Sequence, residues 1–307
     1  MNKNFNILIL GGGKKVSLAK HFKNCEKKNK LKIKVFSYDL DTTSPISMSA
    51  KVIKGKLVKD KKIINHIKNI ILKHKISLVV SVTDPFTLVL SKLKNLGLDC
   101  CKICSDVQTN KILINKSLTN ELISKRNFLT TSDKKKFPVI AKLNKGSAAS
   151  ANFLFYDKSS KNKFKKNNKN YIFETFIDGD EYSVDLYINQ NKEPEGIVCR
   201  KRVEITGGES TVIISEKNKK LENLSLSIAQ YFNIIGPANI QFIKKKNKYF
   251  FMEINPRIAG GMMNTTKSGL DIPDMMIKET LKKKINKFKF TRVKTVKYFE
   301  EYHAYYN

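Results

Sequence analysis

The residues best placed to do chemistry lie in Phe251-Met252-Glu253-Ile254-Asn255-Pro256-Arg257. Side chains two apart on a β-strand leave the same face, so Glu253 and Asn255 offer a carboxylate and an amide oxygen side by side. Arg257 follows them toward the same cleft. The segment Ala238-Asn239-Ile240-Gln241-Phe242 reads as the partner strand of a hairpin, which brings Gln241 to that face. Hard oxygen donors that leave coordination positions open suit Mg²⁺, which keeps phosphate and water in its shell. The competing reading is a polar hairpin edge with no ligand.

Two further segments carry chemistry. In Tyr171-Ile172-Phe173-Glu174-Thr175-Phe176-Ile177-Asp178-Gly179-Asp180-Glu181-Tyr182-Ser183-Val184-Asp185, an apolar strand with a carboxylate meets a turn and a second carboxylate. That combination can read a purine edge and a ribose. In Pro138-Val139-Ile140-Ala141-Lys142 a buried strand ends on a lysine, and the small-residue loop Lys145–Ala151 follows. A point charge beside accessible backbone N–H groups suits phosphate. Other candidates read as structural. Gly11-Gly12-Gly13-Lys14-Lys15-Val16 has Val16 where the dinucleotide fingerprint needs glycine, and Lys15 where the P-loop needs Ser or Thr. It reads as a strand-to-helix turn, with anion binding at the helix N-terminus as the alternative. Cys101 and Cys104, preceded by Cys100, make half a zinc site without a second pair, so buried thiols are expected. The four histidines receive no role. The aromatic stretch Tyr298–Tyr306 reads as a docking strand or helix.

The elements that position these residues imply an α/β chain. Strands at Asn6–Leu10, Ile33–Tyr38 and Leu78–Val82 alternate with helical patterns through Val16–Phe22 and Ile63–Leu72, which predicts a parallel sheet covered on both faces. A helix over Asn115–Ser124 opens the next region. From about residue 137 the pattern changes to strands at Phe137–Leu143, Asn152–Tyr156, Tyr171–Ile177 and Glu181–Ile188, then a helix over Glu222–Phe232 and a hairpin, Gly236–Ile243 with Tyr249–Ile254. Residues 157–170 read as a Lys/Asn-rich turn.

Composition bounds the function classes. A chain of 307 residues, 41% hydrophobic and 28% charged, is globular and long enough for two domains. No apolar run is long enough for a bilayer, and the opening residues read as a first strand. An odd set of five cysteines fits a reducing compartment, so a cytoplasmic location is expected. The net charge is +32, yet 54 of the 59 basic residues are Lys and only five are Arg. Arg is the usual reader of bases and phosphates, so the charge reads as solvated surface with weak, sequence-independent attraction for polyanions. No specific nucleic acid and no membrane partner are expected.

Taken in order, the strand lysine, small-residue loop, E-x-F-I-x-G-x-E-Y-S-V-D, G-P-x-N-I-Q and E-I-N-P-R resemble the ATP-grasp superfamily. The nearest flavour is that of stand-alone relatives of the carbamoyl-phosphate synthase large chain. Arg200-Lys201-Arg202-Val203-Glu204, Gly207-Gly208-Glu209 and Gly260-Gly261 add to that likeness. The resemblance implies an ATP-grasp fold with a Rossmann-like pre-ATP-grasp domain (1–110) and an ATP-grasp domain (111–300). The latter divides into a small lid (about 117–180) and a larger catalytic part (about 181–300). It implies ATP and Mg²⁺ (or Mn²⁺) as cofactors, with Lys116 and Lys142 on the phosphates. Glu174 and the backbone around Phe176 fall to the adenine and Glu181 to the ribose. Gln241, Glu253 and Asn255 match the metal ligands. Arg202 and Arg257 would stabilise the transferring phosphoryl group or the substrate carboxylate. Departures from the pattern are Ala148, Ala149 and Ala151 in the phosphate loop, and Asn115 where the family commonly has Asp. The implied reaction is ADP-forming ligation of a small-molecule carboxylate to an amine through an acyl phosphate. Phosphotransfer to a small oxyanion and nucleotide binding without turnover are the alternatives. Substrate choice falls to loops around 203–212 and 258–272, and the likeness admits a homodimer.

Overall fold

Apolar runs that tolerate burial on both faces make the first layer. Strands β1 (Lys3–Leu10), β2 (Leu31–Asp39), β3 (Lys51–Lys54) and β4 (Ile76–Ser81) form a parallel sheet in the order β3-β2-β1-β4. Phe5, Ile7 and Ile9 face the helix Val16–Asn24, while Leu8 and Leu10 face the helices Ile63–Lys73 and Asp84–Lys94. This is the period-2 signature of a sheet covered on both sides. The computed structural model describes residues 3–131, 136–146, 152–298 and 300.

The second layer is a small antiparallel sheet of β5 (Val139–Leu143), β6 (Phe153–Phe155) and β7 (Tyr171–Thr175), ordered β6-β5-β7. Its core is slight: Val139, Ala141 and Phe173, with Phe155, Phe164 and Tyr171 packed against them. Here one expectation is corrected. Residues 158–167 are a helix, not a turn. Asp157 caps it by accepting the Ser160 N–H at 2.9 Å, and Phe164 anchors it against Phe153, Phe155, Phe173 and Tyr171. A single apolar anchor leaves no stripe for periodicity to find.

The third layer is a six-stranded antiparallel sheet in the order β12-β11-β8-β9-β10-β13. Its strands are β8 (Asp180–Ile188), β9 (Pro194–Thr206), β10 (Glu209–Glu216), β11 (Gly236–Lys245), β12 (Lys248–Asn255) and β13 (Lys294–Val296). The helix Lys219–Tyr231 covers one face, over Tyr182, Val184, Leu186, Ile240 and Phe242. The long β9–β10 hairpin has no counterpart in the sequence reading. It turns at Gly207-Gly208, both at positive φ (58° and 81°), a two-residue turn that side chains would strain. The docking strand β13 precedes the aromatic tail.

Among the described helices none is long and apolar enough to cross a membrane. Two sequence readings fall partly outside the described residues: Ser147–Ala151 of the small-residue loop, and residues 299 and 301–306 of the aromatic tail.

Candidate functional site

Strand pairing assembles the site on the face of the large sheet opposite the helix Lys219–Tyr231. Directly opposed residues of antiparallel strands share a face. The register sets Arg200 opposite Ser183, Ser183 opposite Gln241, and Gln241 opposite Glu253. One step along, Asp185, Asn239 and Asn255 form a second row. Glu181 and Arg202 begin a third. The hairpin expectation for Gln241, Glu253 and Asn255 therefore holds as geometry.

Glu253 sits among cations. Its Oε2 lies 3.4 Å from Lys116 Nζ, and its Oε1 accepts the Asn255 amide at 3.1 Å. Burial would raise this carboxyl, but Lys116, the Asn255 hydrogen bond, Lys142 and Arg257 outweigh it and hold it below the usual range. Asn255 Oδ1 accepts Arg257 Nη2 at 3.0 Å, and Arg257 Nε donates to Asp84 Oδ1 at 2.6 Å, linking this row to the N-terminal sheet's helix Asp84–Lys94. Arg202 is tethered at four points: Glu181 (2.7 Å), Gln241 Oε1 (3.1 Å), Ser210 Oγ (2.7 Å) and the Gly208 carbonyl (2.7 Å). It fixes the β9–β10 turn beside the cleft.

The small sheet supplies the opposite wall. Lys142 on β5 donates to Glu174 Oε2 on β7 at 2.9 Å. Burial would lower the Lys142 ammonium, but Glu174, with Glu253 and Glu181 adding, raises it above its ordinary value. Glu174 also accepts Asn120 Nδ2 at 2.6 Å and Thr131 Oγ1 at 2.7 Å, and is 1% exposed. Its side chain is committed inward, as the holder of Lys142. Lys116 begins the helix Lys116–Lys125 and donates to the Gly146 carbonyl at 2.6 Å. Asn115 caps that helix by accepting the Leu118 N–H at 3.2 Å, a task open equally to Asp.

Between the two walls lies one cleft with two ends. Its polar centre is lined by Lys116, Lys142, Glu181, Arg202, Gln241 and Glu253. An adjoining slot of mixed lining sets Ile140, Phe176, Ile177, Ile243 and Met252 beside Thr131, Asn152, Thr175 and Asp178, with Glu181 at the junction. Phe176 is 38% exposed, and its N–H donates to the Pro138 carbonyl at 2.9 Å. On the other side a third cavity, facing the N-terminal sheet, is lined by Lys15, Thr83, Arg200, Glu209, Arg257 and Gly260 among others.

Gln241, Glu253 and Asn255 give one carboxylate and two amide oxygens on adjacent strands, already surrounded by cations that their oxygens attract. Such a set fits a hard divalent cation that shares its shell with phosphate. His21, Cys25 and Asp271 also converge within 4.8 Å. Burial, then Asp271, push the Cys25 thiol up to about 12, and Asp271 pairs with Lys28 at 2.6 Å, so this group reads as an ion-pair contact. Cys101 and Cys104 are buried, and burial pushes the Cys104 thiol up to about 12, in keeping with structural thiols. The Gly11–Gly13 turn gives the Gly13 N–H to Asp39 at 3.2 Å.

Arg200, Asp185, Asn239, Asp84, Lys15, Glu209 and Lys297 were not singled out as site residues. One signal was present: Glu181, Ser183 and Asp185 alternate on a strand, so Asp185 had to share Glu181's face.

Residues 167–302 match a family described as "ATP-grasp in the biosynthetic pathway with Ter operon", and residues 7–100 match the PylC-like N-terminal domain. No curated protein matches the chain in sequence. Among solved structures it is similar to the L-amino acid ligase from Bacillus licheniformis (17% identity, TM-score 0.69, covering 92% of this chain and 75% of that one). It is similar also to N5-carboxyaminoimidazole synthetase from Staphylococcus aureus in complex with ADP (17%, 0.72, 94% and 81%). A third likeness is to biotin carboxylase from Campylobacter jejuni, described as a β-γ-ATP complex (14%, 0.71, 93% and 73%).

Proposed function

We propose that this chain, an ATP-grasp protein in fold, is an MgATP-dependent, ADP-forming ligase that activates a small carboxylate as an acyl phosphate for attack by an amine. The observation that carries the reading is the convergence of Lys116 and Lys142 from one wall with Glu253, Gln241 and Arg202 from the other on a single cleft that continues into a slot with an apolar side at Phe176, Ile243 and Met252. The adenine would occupy the slot against Phe176, Ile243 and Met252. Glu181, at the junction, would take the ribose. Lys116 and Lys142 would hold the phosphates, the latter positioned by Glu174. Gln241, Glu253 and Asn255 would hold Mg²⁺ (or Mn²⁺), which neutralises phosphate charge when bound.

The chemistry needs no covalent enzyme intermediate. A carboxylate oxygen of the acceptor forms a bond to the γ-phosphorus as the bond to the β,γ-bridging oxygen breaks and ADP departs. The amine then bonds to the acyl carbon, phosphate leaves with the bonding pair, and the amine nitrogen gives up a proton. The protein's part is to align acceptor and γ-phosphate, to set Arg257 beside the developing charge and to exclude water. Division into a lid (about 117–180) and a catalytic part (about 181–300), and assembly as a homodimer, belong to the same proposal.

The test is ADP release from MgATP with pooled carboxylates crossed against pooled amines. Acceptor-dependent ADP in the wild type, abolished in Glu253→Gln with its melting temperature retained, is the expected result. ADP release that survives Glu253→Gln removes the metal assignment. A stable phosphorylated product with no amide points instead to phosphotransfer.

A further inference from the structure

Away from the phosphate end, five cationic side chains (Lys15, Arg200, Arg202, Arg257 and Lys297) and two carboxylates (Glu209 and Glu253) line the cavity facing the N-terminal sheet among the described residues. Lys15 Nζ and Lys297 Nζ lie 3.0 and 3.3 Å from the two oxygens of Glu209. Arg200 lines the same cavity and is 2% exposed. Asp185 takes Arg200 Nε and Nη2 at 2.8 and 3.0 Å, and among the described residues Nη1 has no hydrogen-bond partner. Nη1 therefore stands at the cavity wall as a charged donor open to an anion. Gly261 makes the approach possible: a Cβ there would stand 2.3 Å from Nη1. Burial lowers the Lys297 ammonium; Lys15 and Arg200 add to that and Glu209 opposes it, so the three positive groups crowd one another. Burial would raise the Glu209 carboxyl, but Lys15 and then Lys297 bring it down to about 2; its side chain, 61% exposed at the tip of the β9–β10 hairpin, can still swing into solvent when another anion takes those cations.

We propose that this cluster is a second anion subsite: the acceptor carries, besides the carboxylate to be phosphorylated, a second carboxylate or phosphate group that binds Arg200 Nη1, Lys15 and Lys297 and displaces Glu209. Calling the ligand the acceptor rests on the ligase reading; the anion site itself does not. Glu209 then acts as a stand-in anion that keeps the cations in place when the site is empty. Only the Glu209 side chain need move, because Arg202 holds the turn on both sides of it through the Gly208 carbonyl and Ser210 Oγ.

The test separates binding from turnover. Butyrate, glutarate and 3-phosphoglycerate are titrated calorimetrically into the full chain loaded with magnesium and the β,γ-imido analogue of ATP, at physiological ionic strength. The expected result is that glutarate or 3-phosphoglycerate binds about tenfold or more tighter than butyrate. Which of the two wins distinguishes a carboxylate from a phosphate subsite. Lys297→Gln should erase that preference, whereas Glu209→Gln should strengthen it by removing the competing carboxylate. Opposite shifts from two neighbouring substitutions cannot come from misfolding. Because the two substitutions also move the net charge of +32 in opposite directions, the remote exposed pair Lys158→Gln and Glu121→Gln serves as the control and should leave the preference unchanged; the same opposite shifts from that pair overturn the proposal. Equal affinity for all three probes, no detectable binding of any, or shifts of the same sign overturn the proposal. ADP release by the wild type in the pooled assay tests the ligase reading separately.

Discussion

Glu174 and Lys142 form a buried pair whose value depends on both members. With Asn120, Thr131 and Lys142 all donating to it, Glu174 holds its lysine at the cleft wall in a fixed rotamer. Glu174→Gln would leave Lys142 half-satisfied, and breaking one side of a buried pair costs roughly 3–5 kcal/mol. We expect a lowered melting temperature and a KM for ATP raised about tenfold or more. The double variant Glu174→Gln, Lys142→Met should regain most of the stability and none of the activity. Thermal melts beside ADP-release kinetics check both. A Glu174→Gln protein with unchanged KM would show that Lys142 does not need its anchor. The motifs singled out both residues in the sequence, Glu174 as a reader of adenine and Lys142 on phosphate. The inward role of Glu174 was not legible there, because its partners Asn120 and Thr131 lie 54 and 43 positions away in the chain.

At the scale of elements, the small sheet is the weakest part of the molecule. Its core has three buried residues, and Phe164 on the helix Lys158–Asn167 closes it from one side. Phe164 is partly buried, so removing its ring costs less than the about 3–5 kcal/mol of a fully buried one, yet a unit with so small a core can open without unfolding the rest. Phe164→Ala is therefore expected to speed amide exchange across residues 139–143 and 171–175 while the strands of the N-terminal sheet keep their protection, and to raise the KM for ATP. Uniform loss of protection would mean that the small sheet unfolds only with the whole chain. The elements that periodicity found were those with a clear apolar rhythm: β1, β2, β4, β8 and the β11–β12 hairpin. It missed the β9–β10 hairpin because Arg200-Lys201-Arg202-Val203-Glu204 puts charges on both faces. Those charges are partnered only through strands far away in sequence, such as Glu181 opposite Arg202.

Across the whole molecule, charge is used in two ways. Most of the lysines are solvated, but three of the five arginines, Arg200, Arg202 and Arg257, line the cleft. A few ion pairs also tie the N-terminal sheet to the large one: Asp84 with Arg257, Lys15 with Glu209, and His21 and Lys28 with Asp271. The last joins helix Val16–Asn24 and its continuation to helix Ile272–Thr280. Burial would raise the Asp271 carboxyl, yet hydrogen bonds and charge from His21 and Lys28 bring it down to about 2, from an ordinary 3.8. A depressed carboxyl binds fewer protons folded than unfolded. Its stabilisation is therefore complete above the ordinary value and is lost as pH falls from near 4 toward 2, worth about 2 kcal/mol over that window. Asp271→Asn isolates this contribution, because Asn still caps helix Ile272–Thr280 in place of the carboxylate that accepts the Asp274 N–H. The variant should melt lower than wild type at pH 6, and the difference should shrink steadily below pH 4. A gap between the two proteins that stays constant down to pH 2 would place the stability of this junction in its apolar contacts, Leu18 and Phe22 packed with Met275 and Met276, and not in its charges.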